Sequence, residues 1–365
     1  MKGCLLDNWL AQECGAPDMA SLPAHVARRR MEALRATLVW AARHSRFYQR
    51  RLAGMNLDIR REEDMRRLPF TTAQDLRQWG DFLCVSQGDV RRMVTLPTSG
   101  STGEPKRLAF TDGDLARTRE FFAVGMAQLT ASGQRVVVLL PGAARPDGVS
   151  DLLRQALEPA GVRVYAGDAA CTAESLRADM LCWRPHCLVA TPGQLRALCR
   201  HAAQDAVLRE LTGELRGVLA SGEVLDATVR AEVTALSGNC LLLDHYGLTE
   251  AGLGGGVQCP AQEGYHWREL DVWPEIVDMR SGEPLPCGAQ GELVITTLRR
   301  EAMPLVRYRT GDVTALLPGP CPCGSPLRRL APIAGRVPPP NPAGETTPVI
   351  VPKGQYTTRY VADTV

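Results

Sequence analysis

Apolar residues recur at helical period through the first quarter of the chain. Between positions 24 and 53, Val26, Leu34, Leu38, Val39, Ala42, Phe47 and Leu52 fall among many arginines, which predicts an amphipathic helical leader. The Arg28–Arg30 run reads as the solvated face of that helix. Pro69 ends a connection, and Thr72-Ala-Gln-Asp75 has the form of a capping box that opens another short helix.

The rhythm then changes. Short β-branched runs at Arg135–Leu140, Val162–Tyr165, Cys187–Ala190, Leu215–Ala220 and Cys240–Leu243 alternate with helical periods at Val149–Leu157, Ala173–Leu181, Gly193–His201 and Leu225–Leu236. Strand and helix alternating every 25 residues or so (roughly) predict βαβ units and a mostly parallel sheet, with ligands expected at the carboxyl ends of the strands. From about residue 264 the helices vanish. Gly291–Thr297 and Pro304–Leu317 predict strands of a smaller mixed or antiparallel sheet. After Arg336 the chain turns Pro- and Gly-rich and reads as a linker or tail, with one strand-like piece, Pro348–Pro352, whose docking place is not readable. The expected fold class is α/β, divided into a helical segment 1–90, an α/β core 91–260, a small β subdomain 261–336 and a tail 337–365.

Composition narrows the function classes. Lys plus Arg number 42 against 40 Asp plus Glu over 365 residues, so the net charge of +2 predicts neither nucleic acid nor anionic lipid as partner. No apolar run approaches the ~18 residues of a membrane span, and Asp7, Gln12 and Glu13 interrupt the N-terminal stretch, so neither span nor signal peptide is expected and the reading is cytoplasmic. Most of the twelve cysteines, including Cys182 and Cys240, lie in apolar runs and read as small buried hydrophobes.

The densest chemistry lies in Thr98, Ser99, Gly100, Ser101, Thr102 and Gly103, followed by Glu104, Pro105 and Lys106. The glycines allow close backbone approach to an anion, and the hydroxyls and Lys106 supply donors for phosphate oxygens. Pro105 before Lys106 excludes a Walker A loop.

This segment resembles the phosphate loop of the adenylate-forming (AMP-binding) superfamily, and further matches follow in order. Ala220-Ser-Gly-Glu223 is similar to the family's adenine-contacting turn, Asp244-His-Tyr-Gly-Leu-Thr-Glu250 to its Tyr-Gly-x-Thr-Glu motif, Tyr308-Arg-Thr-Gly-Asp312 to its ribose motif, and Gly335-Arg336 to the start of its hinge. The helical leader with Phe47-Tyr48, the segment Ala302–Asp312 and Cys321-Pro-Cys-Gly324 resemble the phenylacetate–coenzyme A ligase group. The resemblance implies ATP/AMP, Mg²⁺ and coenzyme A as ligands and a small carboxylic acid, aromatic in that group, as substrate. Ser221, Gly222, Glu223, Asp244 and Tyr246 would hold adenine, with the Tyr246 ring stacking and Asp244 accepting from the exocyclic amine. Asp312 would accept the ribose hydroxyls, and Arg336, at the hinge, would also bind the nucleotide. Lys106 and Thr249 would hold phosphate, and Glu250, a hard oxygen ligand, Mg²⁺. The acid pocket is expected around His186–Gly193, Ser221–Glu223 and His245–Gly256.

A second constellation is Cys259, His266, Cys321 and Cys323. Three thiolates and one imidazole form a structural zinc set, although the spacing is not that of a common finger. Relatives in the resembled group carry Cys and His at these places. Free thiols beside a surface histidine are the alternative, and Cys287 could replace one of the four.

The resemblance departs at the end. Family members continue into a small C-terminal domain with a catalytic lysine, whereas Arg336 is followed here by Val337-Pro-Pro-Pro and the 29 residues 337–365 hold one lysine, Lys353. Two classes follow: an enzyme, either a ligase whose C-terminal element is compensated for or supplied by a homodimer partner or a separate polypeptide, or one making only the adenylate; or a non-catalytic nucleotide-binding scaffold descended from a ligase.

Overall fold

The computed structural model describes residues 4–96, 105–140, 142 and 145–337, together with the backbone of Val351–Pro352. The chain divides into two compact units. Among the described residues, the first comprises those up to Ala116, Leu248–Gly255 and those from His266 onward; the second comprises those from Arg117 to Gly247 and Gly256–Tyr265.

The second unit is the predicted βαβ layer. Strands Arg163–Ala166, Arg135–Val138, Cys187–Ala190, Gly217–Ser221 and Leu241–Tyr246 lie side by side in that order and are parallel, with Gly256–Val257 added antiparallel beside the last. Val137, Leu188, Val218 and Leu242 from these strands pack with Leu176, Leu195, Leu198 and Val229 from the helices into one buried core. The helices begin where the sequence provides caps. Thr172 accepts from Ser175 N, Asp226 accepts from Val229 N, and Thr191 with Gln194 forms a full capping box. Arg135–Val138 sits between the strands that follow it on either side, so the winding reverses there. Ser221 and Tyr246 are the carboxyl-terminal residues of their strands, the end at which such sheets bind ligands.

The first unit holds an antiparallel sheet ordered Val272–Val277, Gly291–Thr297, Tyr308–Thr314, Gly335–Arg336 and Val351–Pro352. The tail piece therefore docks on the sheet, with Val351 opposite Arg336. The edge strand Val272–Val277 and its neighbour Gly291–Thr297 are both buried along their whole length, so the sheet needs cover, and the leader contributes it. The leader is two helices, Leu22–His44 and Arg46–Arg51, rather than one. Ser45 is extended and its hydroxyl accepts from Tyr48 N, restarting the chain in a new direction. Tyr48 then reaches Thr71 Oγ1 at 3.0 Å and accepts from Val306 N at 2.8 Å.

The arginine run divides in a way its sequence does not show. Arg28 and Arg29 are exposed, but Arg30 is buried, paired with Glu269 at 2.5 Å and with Glu62, its guanidinium 4.1 Å over the Trp273 ring. A helix stripe repeats near every third or fourth residue, and Arg30 falls in line with Val26 and Leu34 on the inward stripe. Two cysteines also depart from expectation: Cys182 is exposed and Cys240 half-buried, while Cys4, Cys14, Cys84, Cys171 and Cys187 are buried. Cys182 lies on the outer side of Ala173–Trp183, whose buried residues are Leu176 and Met180.

Candidate functional site

Lys106 opens the strand Lys106–Phe110 and stands opposite Leu96 across an antiparallel ribbon. Thr98, Ser99, Gly100, Ser101, Thr102 and Gly103, between those two residues, lie outside the described residues. Lys106 Nζ donates to Glu250 Oε1 at 2.5 Å and to the Tyr308 hydroxyl at 3.3 Å, and Tyr308 Oη donates to the same carboxylate oxygen at 3.0 Å. Tyr308 is held in place from the backbone. Thr71 N donates to Arg307 O at 3.0 Å and Thr71 O accepts from Arg309 N at 2.9 Å, clamping the residues on either side of it. Glu250 follows Thr249 in a tight turn in which Gly252 N donates to Thr249 O at 3.0 Å and Gly252 adopts φ +86°.

Burial opposes the charge on Glu250. The ammonium of Lys106, its hydrogen bond and that of Tyr308 outweigh it, so the carboxyl sits below its ordinary pKa. Burial, then the adjacent Glu250 charge, pushes the Tyr308 phenol well above its own. The first unit therefore presents an ionised carboxylate, a cation and a neutral phenol donor at one point. That fits a Mg²⁺ ligand beside a phosphate-binding lysine, since Mg²⁺ is commonly held by one or two carboxylates plus substrate phosphates.

Asp312 lies in the same strand as Tyr308. Gly311 before it has φ +78° and donates its N–H to Glu292 Oε1 at 3.1 Å, where the pairing between Glu292 and Val294 slips register. This irregularity sets Asp312 directly opposite Arg336, and Arg336 Nε lies 2.9 Å from Asp312 Oδ1. The ribose-motif carboxylate and the hinge arginine, 24 positions apart in numbering, are thus one ion pair.

In the second unit Asp244 and Tyr246 meet Tyr265, which lies outside the motifs, while Ser221 meets His245 of the next motif. Gly222 adopts φ +87° directly after Ser221, whose hydroxyl lies 2.9 Å from His245 Nδ1. Glu223 is half-buried in the same turn. Asp244 Oδ2 accepts from Tyr265 Oη at 2.6 Å, and the Asp244 backbone N–H donates to Gln258 Oε1 at 3.0 Å. The Tyr246 ring is 6.0 Å from that of Tyr265. Sequence reasoning missed Tyr265 as the residue that orients Asp244, because no motif contains it. An alternation of Tyr265 and Trp267 about His266 was the available signal for a short strand.

Of the zinc set, His266, Cys321 and Cys323 belong to the first unit, and their ligand atoms lie within 4.8 Å of one another. Cys323 Sγ is 3.6 Å from His266 Nε2, matching the roughly 3.6 Å edge of a tetrahedron with Zn–S of about 2.3 Å and Zn–N of about 2.0–2.1 Å. The Cys-Pro-Cys-Gly turn is shaped for this. Gly324 N donates to Cys321 O at 2.8 Å with Gly324 at φ +92°, and Cys321 N donates to Ser325 O at 2.9 Å. Burial, with Arg329 nearby, pushes His266 down to about 4, so its ring is neutral, the form that ligates metal. Cys259 belongs to the second unit, where it is buried. Cys287 is exposed, and its thiol bonds Leu316 O at 3.2 Å; it is not among the ligand atoms gathered around His266.

These features define an α/β protein with a largely buried Lys–Glu–Tyr cluster, and comparison with known proteins bears on the class. The family described as AMP-binding enzyme matches residues 77–298, and the chain belongs to that family. Within it the chain is similar to the phenylacetate-coenzyme A ligase of Thermus thermophilus, with 32% identity over 335 residues, covering 88% of this chain and 72% of that one. The ligases of the same name from Pseudomonas putida and Escherichia coli are each 30% identical, covering 87% and 82% of this chain and 72% and 69% of theirs. The fold is also that of a 2-hydroxyisobutyryl-CoA ligase crystallised with its acyl-AMP and CoA, at a TM-score of 0.75 and 20% identity over 86% of this chain and 70% of that one. Among the described residues no helix is long and apolar enough to cross a membrane.

Proposed function

We propose that this chain is an AMP-forming carboxylate–coenzyme A ligase acting on an arylacetic acid such as phenylacetate. The carrying observation is the contact of Lys106, Glu250 and Tyr308, a charge-balanced set suited to receive a triphosphate with its cation. The names of the relatives support the substrate class.

In the first step the substrate carboxylate attacks the α-phosphorus of ATP. The bond to the bridging oxygen breaks, and pyrophosphate leaves with that electron pair. Lys106 turns from Glu250 towards the outer phosphates, and Glu250 is freed for Mg²⁺, which when bound neutralises phosphate charge. Asp312 accepts the ribose hydroxyls, giving up part of its pairing with Arg336, while Tyr246 carries adenine and Thr249 donates to phosphate. In the second step the thiolate of coenzyme A attacks the acyl carbon, and AMP leaves. The protein contributes mainly positioning and charge stabilisation. Consumption of ATP and coenzyme A agrees with the cytoplasmic location expected from the sequence. Cys259, seven positions before His266 in the chain, completes a proposed structural Zn²⁺ set with His266, Cys321 and Cys323.

The test measures both steps with purified protein, namely ATP–pyrophosphate exchange and thioester formation, across phenylacetate, ring-substituted arylacetates and short alkanoates. Exchange dependent on an arylacetate is expected. Exchange with alkanoates alone would overturn the substrate class, and exchange with no acid in a broad panel would overturn the ligase reading.

A further inference from the structure

His266 carries a second feature that the zinc set does not use. Its Nε2 faces Cys323, while its Nδ1 is buried with no hydrogen-bond partner. Beside it lies the first helix of the chain, Leu5–Cys14, and the first turn of that helix brings Asp7 and Cys4 to the same ring. Ligand atoms of Cys4, Asp7 and His266 lie within 4.8 Å of one another.

Asp7 has the stronger claim to attention. An acidic residue in a first helical turn ordinarily faces water and favours the helix dipole. Asp7 instead is 1% exposed, and both of its carboxylate oxygens are buried without a hydrogen-bond partner. Burial pushes its carboxyl up to about 6, and the Ser325 hydroxyl pulls the other way from beyond a well-formed bond. A buried carboxylate with unfilled acceptors and a buried imidazole nitrogen with an unfilled site therefore stand next to each other, and each is the complement the other lacks.

We propose that Asp7 is a positioning residue for the metal centre, accepting the Nδ1–H of His266 and so fixing the tautomer and ring orientation that direct Nε2 to the ion. The inference rests on the zinc reading above. A metal on Nε2 requires that nitrogen unprotonated, which leaves the single ring proton on Nδ1, where a carboxylate acceptor raises the basicity of the ligating nitrogen. The first helix is then tied to the Cys321–Cys323 turn through His266, and Cys4 is a packing neighbour and not a ligand.

The experiment uses the full chain loaded with Zn²⁺ or Co²⁺. Zinc affinity is read by competition with a chromophoric chelator, and the ligand field by the visible spectrum of the cobalt form. Asp7→Ala is expected to weaken zinc about 10–100-fold while the cobalt spectrum keeps its shape. Asp7→Asn, which retains an acceptor oxygen, recovers part of that loss, and Cys4→Ser leaves affinity as in the wild type. Unchanged affinity in Asp7→Ala overturns the assignment, as does a changed cobalt spectrum, which would make Asp7 a ligand. A loss in Cys4→Ser equal to that in Asp7→Ala overturns it too, by making Cys4 part of the ligand set. If Asp7→Ala does not fold, Asp7→Asn against wild type decides, with equal affinity refuting the role. A wild-type chain that binds no zinc refutes the metal reading itself, a result distinct from a zinc-binding chain indifferent to Asp7.

Discussion

Lys106 and Glu250 stand 144 positions apart in the chain and meet at 2.5 Å, with the Tyr308 hydroxyl closing the triangle. A cation and a carboxylate proposed to ligate Mg²⁺ that neutralise each other before substrate arrives need only exchange partners when ATP and its cation enter. No charge is left uncompensated in either state, which lowers the cost of keeping both groups buried.

Replacing Lys106 by Ala tests that exchange. Its proposed partners are the outer phosphates, so ATP affinity is expected to fall clearly while AMP affinity changes little. Pyrophosphate exchange should slow by about two to three orders of magnitude, as on loss of one well-placed donor to a charged transition state. Calorimetry with the two nucleotides separates the effects. Equal weakening of ATP and AMP would remove Lys106 from the phosphate side.

Asp312→Ala should act on both nucleotides alike, because both carry the ribose. Loss of hydrogen bonds to a charged acceptor is worth about 1.5–3 kcal/mol, roughly 10–100-fold in affinity. Arg336→Ala offers a contrast. It frees Asp312 from its 2.9 Å partner, so AMP should bind as well as to the wild type or better. A nucleotide affinity indifferent to Asp312→Ala would refute the ribose assignment.

Much of this arrangement was legible in the sequence, and the part that was not has a common cause. The parallel strands and their helices could be read because each reports its own period, and the caps at Thr172, Thr191 and Asp226 are local. The Thr72–Asp75 capping box formed as read, with Thr72 N donating to Asp75 Oδ2 at 2.8 Å and Asp75 N to Thr72 Oγ1 at 3.3 Å, although the turn it opens is 3₁₀. The motif residues could be listed but not their partners. Tyr265 on Asp244, His245 on Ser221 and Tyr308 on Lys106 are side-chain contacts across long sequence separations, which no period encodes. Arg30 was misread for the same reason: its burial is decided by Glu269 and Trp273, far along the chain.

That buried arginine yields a stability prediction free of catalysis. Arg30→Met leaves buried Glu269 facing only Arg328, at 3.9 Å, so the loss should approach but not exceed the about 3–5 kcal/mol of a fully broken buried pair. Restoring balance with Glu269→Gln in the same chain should recover much of the loss, since a buried pair is worth less than the penalty of breaking it. Urea unfolding of the two single variants and the double variant gives the coupling. Additive losses would mean that Arg30 acts through its packing on Trp273 and not through the ion pair.

The proposed metal centre makes the last prediction, and its sign follows from linkage. An ion that binds the folded chain and not the unfolded one adds RT ln(1 + [L]/Kd) to stability, about 4 kcal/mol at a thousandfold excess over Kd. The 3.6 Å approach of Cys323 Sγ to His266 Nε2 fits the spacing of two ligands on the proposed tetrahedral ion, and without an ion it brings a thiol and a neutral imidazole together for a weak hydrogen bond only. One zinc per chain is therefore expected in protein purified without added metal. A strong chelator should lower the melting temperature, and zinc, not magnesium, should restore it. Cys323→Ser should lose the metal and show the chelated melting temperature whether or not chelator is present. Pyrophosphate exchange by the chelated protein, measured well below that temperature, should survive in proportion to the folded fraction, because a centre closed by four protein ligands leaves no position for substrate. A metal-free chain as stable as the zinc-loaded one would exclude the centre, and exchange lost while the fold persists would make its role catalytic.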